Sequence, residues 1–120
     1  MATKEIIEAY MAAWNETDEA QIKSLLEKCW ADDGAYTDPV SDVKGRDGLF
    51  GAITGFHTQM PGAGIAITTG IDQHHGRVRF GWKVTGAPQE LAGIDVGVLA
   101  ADGRLQSILG FWGENPPSQA

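Results

Sequence analysis

The side chains able to do chemistry in this chain are few in kind: three histidines, one cysteine, two tyrosines and sixteen carboxylates. His74 and His75 are neighbours, and neighbours on a strand point to opposite faces. Neither they nor His57 with Cys29 show zinc-ligand spacing, so no metal site is expected. No serine nucleophile motif, glycine-rich phosphate loop or dinucleotide fingerprint occurs, so no cofactor is expected. What remains is acid–base chemistry by carboxylates that point inward. Two acids stand apart from the rest. Asp38 precedes Pro39, which disfavours a helical conformation and puts the acid at a strand end. Asp95 lies in Gly93-Ile94-Asp95-Val96-Gly97, on the glycine-rich side of an alternating segment. A phenol, Tyr10, falls on an inward helical stripe.

The elements that must position these groups divide the chain into a helical half and a β half. Ile6, Ile7, Tyr10, Met11 and Trp14 recur at helical spacing. Asn15-Glu16-Thr17 breaks that pattern, and Asp18 with Gln21 can cap a second helix whose inward stripe is Ile22, Leu25, Leu26, Cys29 and Trp30. Ala31-Asp32-Asp33-Gly34 reads as a turn, Ala35–Pro39 as a short extended piece, and Ser41–Gly48 as polar and turn-rich. A third helix carries Leu49, Phe50, Ile53, Phe56, His57 and Met60, and stops at Pro61-Gly62. Four strands are expected near 64–72, 77–86, 91–100 and 104–113. In the second of these, Val78, Phe80, Trp82 and Val84 alternate with Arg77, Arg79, Gly81 and Lys83, so the arginines face outward. In the third, Ile94, Val96 and Val98 oppose the Asp95 face. The expected class is α+β, a single domain over residues 1–120 with helices on one side of a curved antiparallel sheet. The tail from about 116 to 120 cannot continue a strand and is expected to be disordered.

Composition narrows the partners. With 120 residues, 42% hydrophobic and 21% charged, the chain can bury one core and little more. The net charge of −7 opposes nucleic-acid binding. Residues 1–48 hold 11 acids against 5 bases, a solvated helical surface for the most part. No apolar run approaches the ~20 residues of a membrane span. A lone cysteine, with no basic-then-apolar start, fits the cytoplasm.

Several strings are familiar together: Tyr10-Met11-Ala12-Ala13-Trp14-Asn15, Trp30-Ala31-Asp32-Asp33, Tyr36-Thr37-Asp38-Pro39-Val40, Gly45-Arg46-Asp47-Gly48-Leu49, Asp102-Gly103-Arg104-Leu105 and Gly110-Phe111-Trp112-Gly113-Glu114. Over roughly residues 4–115 the chain resembles the nuclear transport factor 2-like superfamily, nearest its SnoaL-like polyketide cyclase and ketosteroid isomerase branches. The resemblance implies a cone of three helices over a bent sheet, a cavity between them, and often a homodimer through the outer sheet face. Outward Ile94, Val96 and Val98 would form an apolar exterior patch consistent with a homodimer.

By resemblance to ketosteroid isomerases, Asp38 stands where the general base lies, and Tyr10 and a protonated Asp95 where the oxyanion donors lie. Removing a proton next to a carbonyl needs such a base, and the developing enolate needs donors in a low-dielectric pocket. The implied function is cofactor-free isomerisation or cyclisation of a small apolar carbonyl compound. A non-catalytic ligand-binding or dimerisation domain is the alternative. Ile53 stands where the isomerases carry a further tyrosine. The Asp-Arg-Asp set of limonene-epoxide hydrolases is missing, since Gly110 occupies one of its positions. Trp14, Trp30, Phe56, Phe80, Trp82 and Phe111 are the expected pocket-lining aromatics.

Overall fold

The computed structural model describes residues 1–118; the last two residues of the expected tail, Gln119 and Ala120, lie outside them. Three helices, α1 (Thr3–Asn15), α2 (Glu19–Cys29) and α3 (Gly45–Gln59), pack on a sheet of seven strands. The strands are β1 (Trp30–Asp38), β2 (Ser41–Lys44), β3 (Gly64–Ile67), β4 (Asp72–His74), β5 (Arg77–Thr85), β6 (Ala92–Leu99) and β7 (Leu105–Trp112). Their order is β2-β1-β7-β6-β5-β3, with β4 also paired to β5. The expected α+β class is present, with one refinement: β1 runs parallel to β7 while every other pair is antiparallel, so the sheet is mixed.

Helix patterning sets the core. Ile6, Ile7, Tyr10 and Trp14 of α1 and Ile22 and Leu26 of α2 are buried against Leu49 and Ile53 of α3 and Val78, Phe80 and Ile108 of the sheet. Asp18 caps α2 by accepting a hydrogen bond from the Gln21 amide at 3.0 Å, as its spacing predicts. Asn15 ties the end of α1 to β3, donating to the Ile65 carbonyl at 2.9 Å and accepting from the Ile65 amide at 2.7 Å. Among the described residues no helix is long and apolar enough to cross a membrane.

Three local expectations are corrected. Ala31–Gly34 is not a turn but the first part of β1, and Trp30 leaves the helix to begin that strand. The pairing of β1 with β7 shifts register between Trp30 and Ala35, an irregularity that breaks strand alternation and exposes Asp32 and Asp33 together. Ser41–Gly48 is ordered as β2 and the first turn of α3. The expected strand over 64–72 is two strands, β3 and β4, both paired to β5.

Candidate active site

Asp38 closes β1 because Pro39 has no N–H with which to extend the ladder. Its Oδ1 then accepts from the amides of Val40 at 2.9 Å and Ser41 at 2.8 Å, fixing the turn into β2. Tyr36 lies two residues earlier and therefore on the same face of the strand. Its hydroxyl donates to Asp38 Oδ2 at 2.6 Å. Three donors thus hold this carboxylate in one orientation. Burial, with the hydrogen bond to Asp38, pushes the Tyr36 phenol well above its ordinary pKa.

Asp95 is reached from the neighbouring strands. It pairs with Gly110 of β7, and Thr37 of β1 pairs with Leu109, so Asp38, Gly110 and Asp95 form a row across β1, β7 and β6. A Cβ at position 110 would stand 2.9 Å from Asp95 Oδ1 and 3.5 Å from Asp38 Cβ. The missing side chain is what lets the two acids approach one space. Gly93 does a similar service for Trp82, since a Cβ there would lie 2.6 Å from the indole Cζ2. With the indole laid over that glycine, Trp82 Nε1 donates to Asp95 Oδ1 at 3.0 Å.

The electrostatics separate the two acids. Asp95 is 6% exposed and is the one charged or polar residue in the buried set among the described residues. Burial raises its pKa to about 7, the Trp82 hydrogen bond pulls downward, and the Asp38 charge adds a further upward push. At neutral pH it is therefore divided between acid and carboxylate. Tyr10 is fully buried, and its phenol is raised well above the ordinary value by burial and then by the charge of Asp95. Both tyrosines stay protonated donors at physiological pH.

These groups converge on a cavity of about 410 Å³ between the helices and the inner sheet face, within the range of small-molecule sites. Tyr10, Tyr36, Asp38 and Asp95 line it, with Trp14, Phe56, Trp82 and Trp112 as aromatic walls. Met11, Met60, Ile65, Val84 and Leu91 add apolar surface, and Gly51, Ala52, Gly55 and Gln59 come from α3. Among the described residues no lysine, arginine or histidine lines it. The structure therefore brings Tyr10, Asp38 and Asp95 to one cavity and places Trp14, Phe56 and Trp82 around them.

Three expected lining residues do not reach the cavity. Trp30 is wholly buried at the start of β1, stacked on Tyr10 with ring centroids 5.9 Å apart, and its Nε1 has no hydrogen-bond partner among the described residues. Phe80 is also core, edge-on to Tyr10 at 6.5 Å. Phe111 is 61% exposed, because Gly110 and Trp112 take the inward positions and strand alternation sends the residue between them outward. Tyr36 and Trp112 are site residues that sequence reasoning missed. The signal for Tyr36 was present: it stands two residues from Asp38 in an extended segment.

The remaining reactive side chains are accounted for elsewhere. Ile53 is core, so the second phenol of the site comes from β1 instead of α3. Cys29 is buried and its thiol is pushed up to about 12, which removes it as a nucleophile. Arg77 and Arg79 face outward, and Arg79 pairs with Asp72 at 2.6 Å. His74 and His75 contact each other at the β4–β5 turn. Among the described residues no three His, Cys, Asp or Glu side chains group as a metal site.

A proposed isomerase of the SnoaL-like family from Agrobacterium tumefaciens is similar in structure, with TM-score 0.85, 28% identity, and coverage of 93% of this chain and 97% of its own. A proposed ketosteroid isomerase from Kribbella flavida superposes with TM-score 0.69 at 21% identity over 97% and 82% of the two chains. A proposed SnoaL-like polyketide cyclase from Jannaschia superposes with TM-score 0.70 at 13% identity over 91% and 85%. These two share the fold. No curated protein matches the chain. The family model of the SnoaL-like domain matches residues 7–108, and with that span inside the helices, sheet and cavity described above, the chain belongs to the SnoaL-like family.

Proposed function

We propose that this protein catalyses cofactor-independent proton transfer next to the carbonyl of a small, mostly apolar compound, as an isomerase or an aldol-type cyclase. Asp38 removes the proton from the carbon beside the carbonyl, and the electron pair moves to oxygen as an enolate. Tyr10 and protonated Asp95 donate hydrogen bonds to that oxygen. In an isomerisation the proton returns two carbons away and the carbonyl re-forms. The observation that carries this reading is the row Asp38, Gly110, Asp95 in an apolar cavity, with one acid fixed by three donors and the other poised near neutrality. The similar Agrobacterium protein, a proposed isomerase, supports it.

One observation favours an exchange of roles. Asp38 already accepts three hydrogen bonds, whereas Asp95 accepts one, from Trp82, among the described residues. Asp95 could then be the base, and a group titrating near 7 suits that task. The two assignments predict opposite pH profiles. If protonated Asp95 is a donor, the rate falls as pH rises through about 7; if Asp95 is the base, the rate rises through it.

The test is the isomerisation of a panel of β,γ-unsaturated ketones, followed by conjugated-enone absorbance. Asp38→Asn keeps the shape and removes the base, and is expected to lower the rate by at least ~100-fold. No rate above buffer on the whole panel contradicts the enzymatic reading; ligand binding without turnover then makes the cavity a binding module. We also propose a homodimer through the outer sheet face, where Ile94, Val96, Val98, Leu109 and Phe111 are exposed together. Light scattering should give a dimer at micromolar concentration, and a monomer for Phe111→Glu. A wild-type monomer refutes it.

A further inference from the structure

One face of α1 and one face of β3 run on past the cavity. Along α1, Tyr10, Met11 and Trp14 line the cavity, while Ile7 and again Met11 line an open groove of about 820 Å³ nearer the start of the helix. Positions 7, 11 and 14 follow helical spacing, so they form one continuous stripe. Along β3, Ile65 lines the cavity and Ile67 the groove. These two are on the same strand face, about 7 Å apart along the chain. Among the described residues Met11 alone lines both spaces, so its side chain is the partition between them. The floor of the groove is Ile7, Ile67 and Ile71, and Lys4, Glu8 and Gln73, all exposed, stand at its rim. The partition is soft and its frame is rigid. Asn15 donates to the Met11 carbonyl at 3.0 Å and holds both backbone groups of Ile65, so α1 and β3 keep a fixed spacing beside it. What moves between them is the half-buried Met11 thioether, with three rotatable bonds.

We propose that the groove between α1 and the β3–β4 edge is a second subsite of the ligand, taking an unbranched alkyl tail that leaves the cavity past Met11 and lies over Ile7, Ile67 and Ile71. The occupant follows from continuity and width. Both stripes lead from the cavity straight into the groove, so the part of a ligand remote from Tyr10, Asp38 and Asp95 enters it without leaving apolar surface. The passage is one side chain wide, because Asn15 fixes the helix and strand on either side of it. A methylene chain passes where a thioether stood, and a ring does not. A charged tail end would find no partner on the isoleucine floor, so the tail is apolar throughout. This rests on the cavity being a ligand site as proposed above, and it adds a place for a tail longer than the cavity holds.

The test compares 2-pentanone with 2-undecanone, which share a neutral methyl ketone and differ only in tail length. Binding is mapped on the isoleucine methyl signals of the carbon–proton NMR spectrum. 2-Pentanone is expected to shift Ile65 and leave Ile67 and Ile71 in place; 2-undecanone is expected to shift all three. Ile67→Glu puts a charge in the groove at an exposed position outside the cavity. It is expected to bind 2-undecanone at least ~10-fold more weakly, since several buried methylenes lose their apolar surroundings, and 2-pentanone with little change. 2-Undecanone that shifts Ile65 but neither Ile67 nor Ile71 overturns the inference and leaves the cavity as a ligand site, with the tail folded inside it. A shift of Ile67 and Ile71 without Ile65 also overturns it, because the groove then binds apart from the cavity. Equal affinity of wild type and Ile67→Glu for 2-undecanone does the same. If neither ketone shifts Ile65, Ile67 or Ile71, the reading of the cavity falls and this inference with it.

Discussion

Asp95→Asn should make the protein more stable at pH 8 and should have almost no effect on stability at pH 4. The amide has the carboxylate's shape and can still accept from Trp82 Nε1, which donates to Asp95 Oδ1 at 3.0 Å, but it never ionises. In the unfolded chain Asp95 titrates at the ordinary 3.8, and in the folded protein at about 7. Between those values the folded state holds a proton that the unfolded state has lost, so wild-type stability falls as pH rises through the window and levels off above it. At ~1.4 kcal/mol per pH unit the full penalty is about 4 kcal/mol above pH 7. For a domain of this size that corresponds to a melting temperature more than about 10 °C lower than the variant's. The assay is denaturant or thermal unfolding of both proteins at half-unit steps from pH 4 to pH 9. A gap that is constant with pH, or a wild type more stable than Asp95→Asn at pH 8, would refute the reasoning. The same penalty is what makes Asp95 useful, since a carboxyl held near neutrality can give or take a proton at little cost.

Three further substitutions probe the supports of that site. Gly110→Ala would put a methyl 2.9 Å from Asp95 Oδ1; turnover should fall at least ~10-fold, the rate equivalent of ~1.4 kcal/mol of lost transition-state stabilisation, with the circular dichroism spectrum unchanged. Trp82→Phe removes the one donor that favours ionised Asp95, so the pH at which stability levels off should move above 7, as unfolding measured against pH will report. Tyr36→Phe leaves Asp38 Oδ2 without its 2.6 Å donor. The expected loss is ~1.5–3 kcal/mol of stability in urea unfolding at pH 7, the range for hydrogen bonds to charged groups.

Much of this site can be read from local pattern. Tyr10 lies on the inward stripe of α1, Asp38 at the end of β1, and Asp95 on the face of β6 opposite Ile94, Val96 and Val98, because helix and strand periods fix those directions regardless of the partners. What local pattern does not hold is register. The row of Asp38, Gly110 and Asp95 depends on β1 pairing in parallel with β7, some seventy residues away, and no short-range signal encodes that. Trp30 and Phe80 were misplaced for a related reason: an inward aromatic can fill core or line a cavity, and only the depth of its neighbours decides. Phe111 was a matter of phase. Once Gly110 is known to pair with Asp95, alternation sends Phe111 outward. The first part of β1 was hidden because its irregular pairing puts Asp32 and Asp33 side by side in solvent, where they read as a turn.

The central claim is proton transfer next to a carbonyl by the acids of this cavity, and deuterium exchange tests it most directly. A neutral fused-ring ketone such as 2-tetralone, incubated with protein in D2O, should lose its α-proton signals in the proton NMR spectrum faster than in buffer. Asp38→Asn and Asp95→Asn should each slow that exchange, and the wild-type rate should change with pH around 7, where Asp95 titrates. Exchange no faster than buffer across pH 5 to 9, with the ketone shown to be bound, would contradict the account.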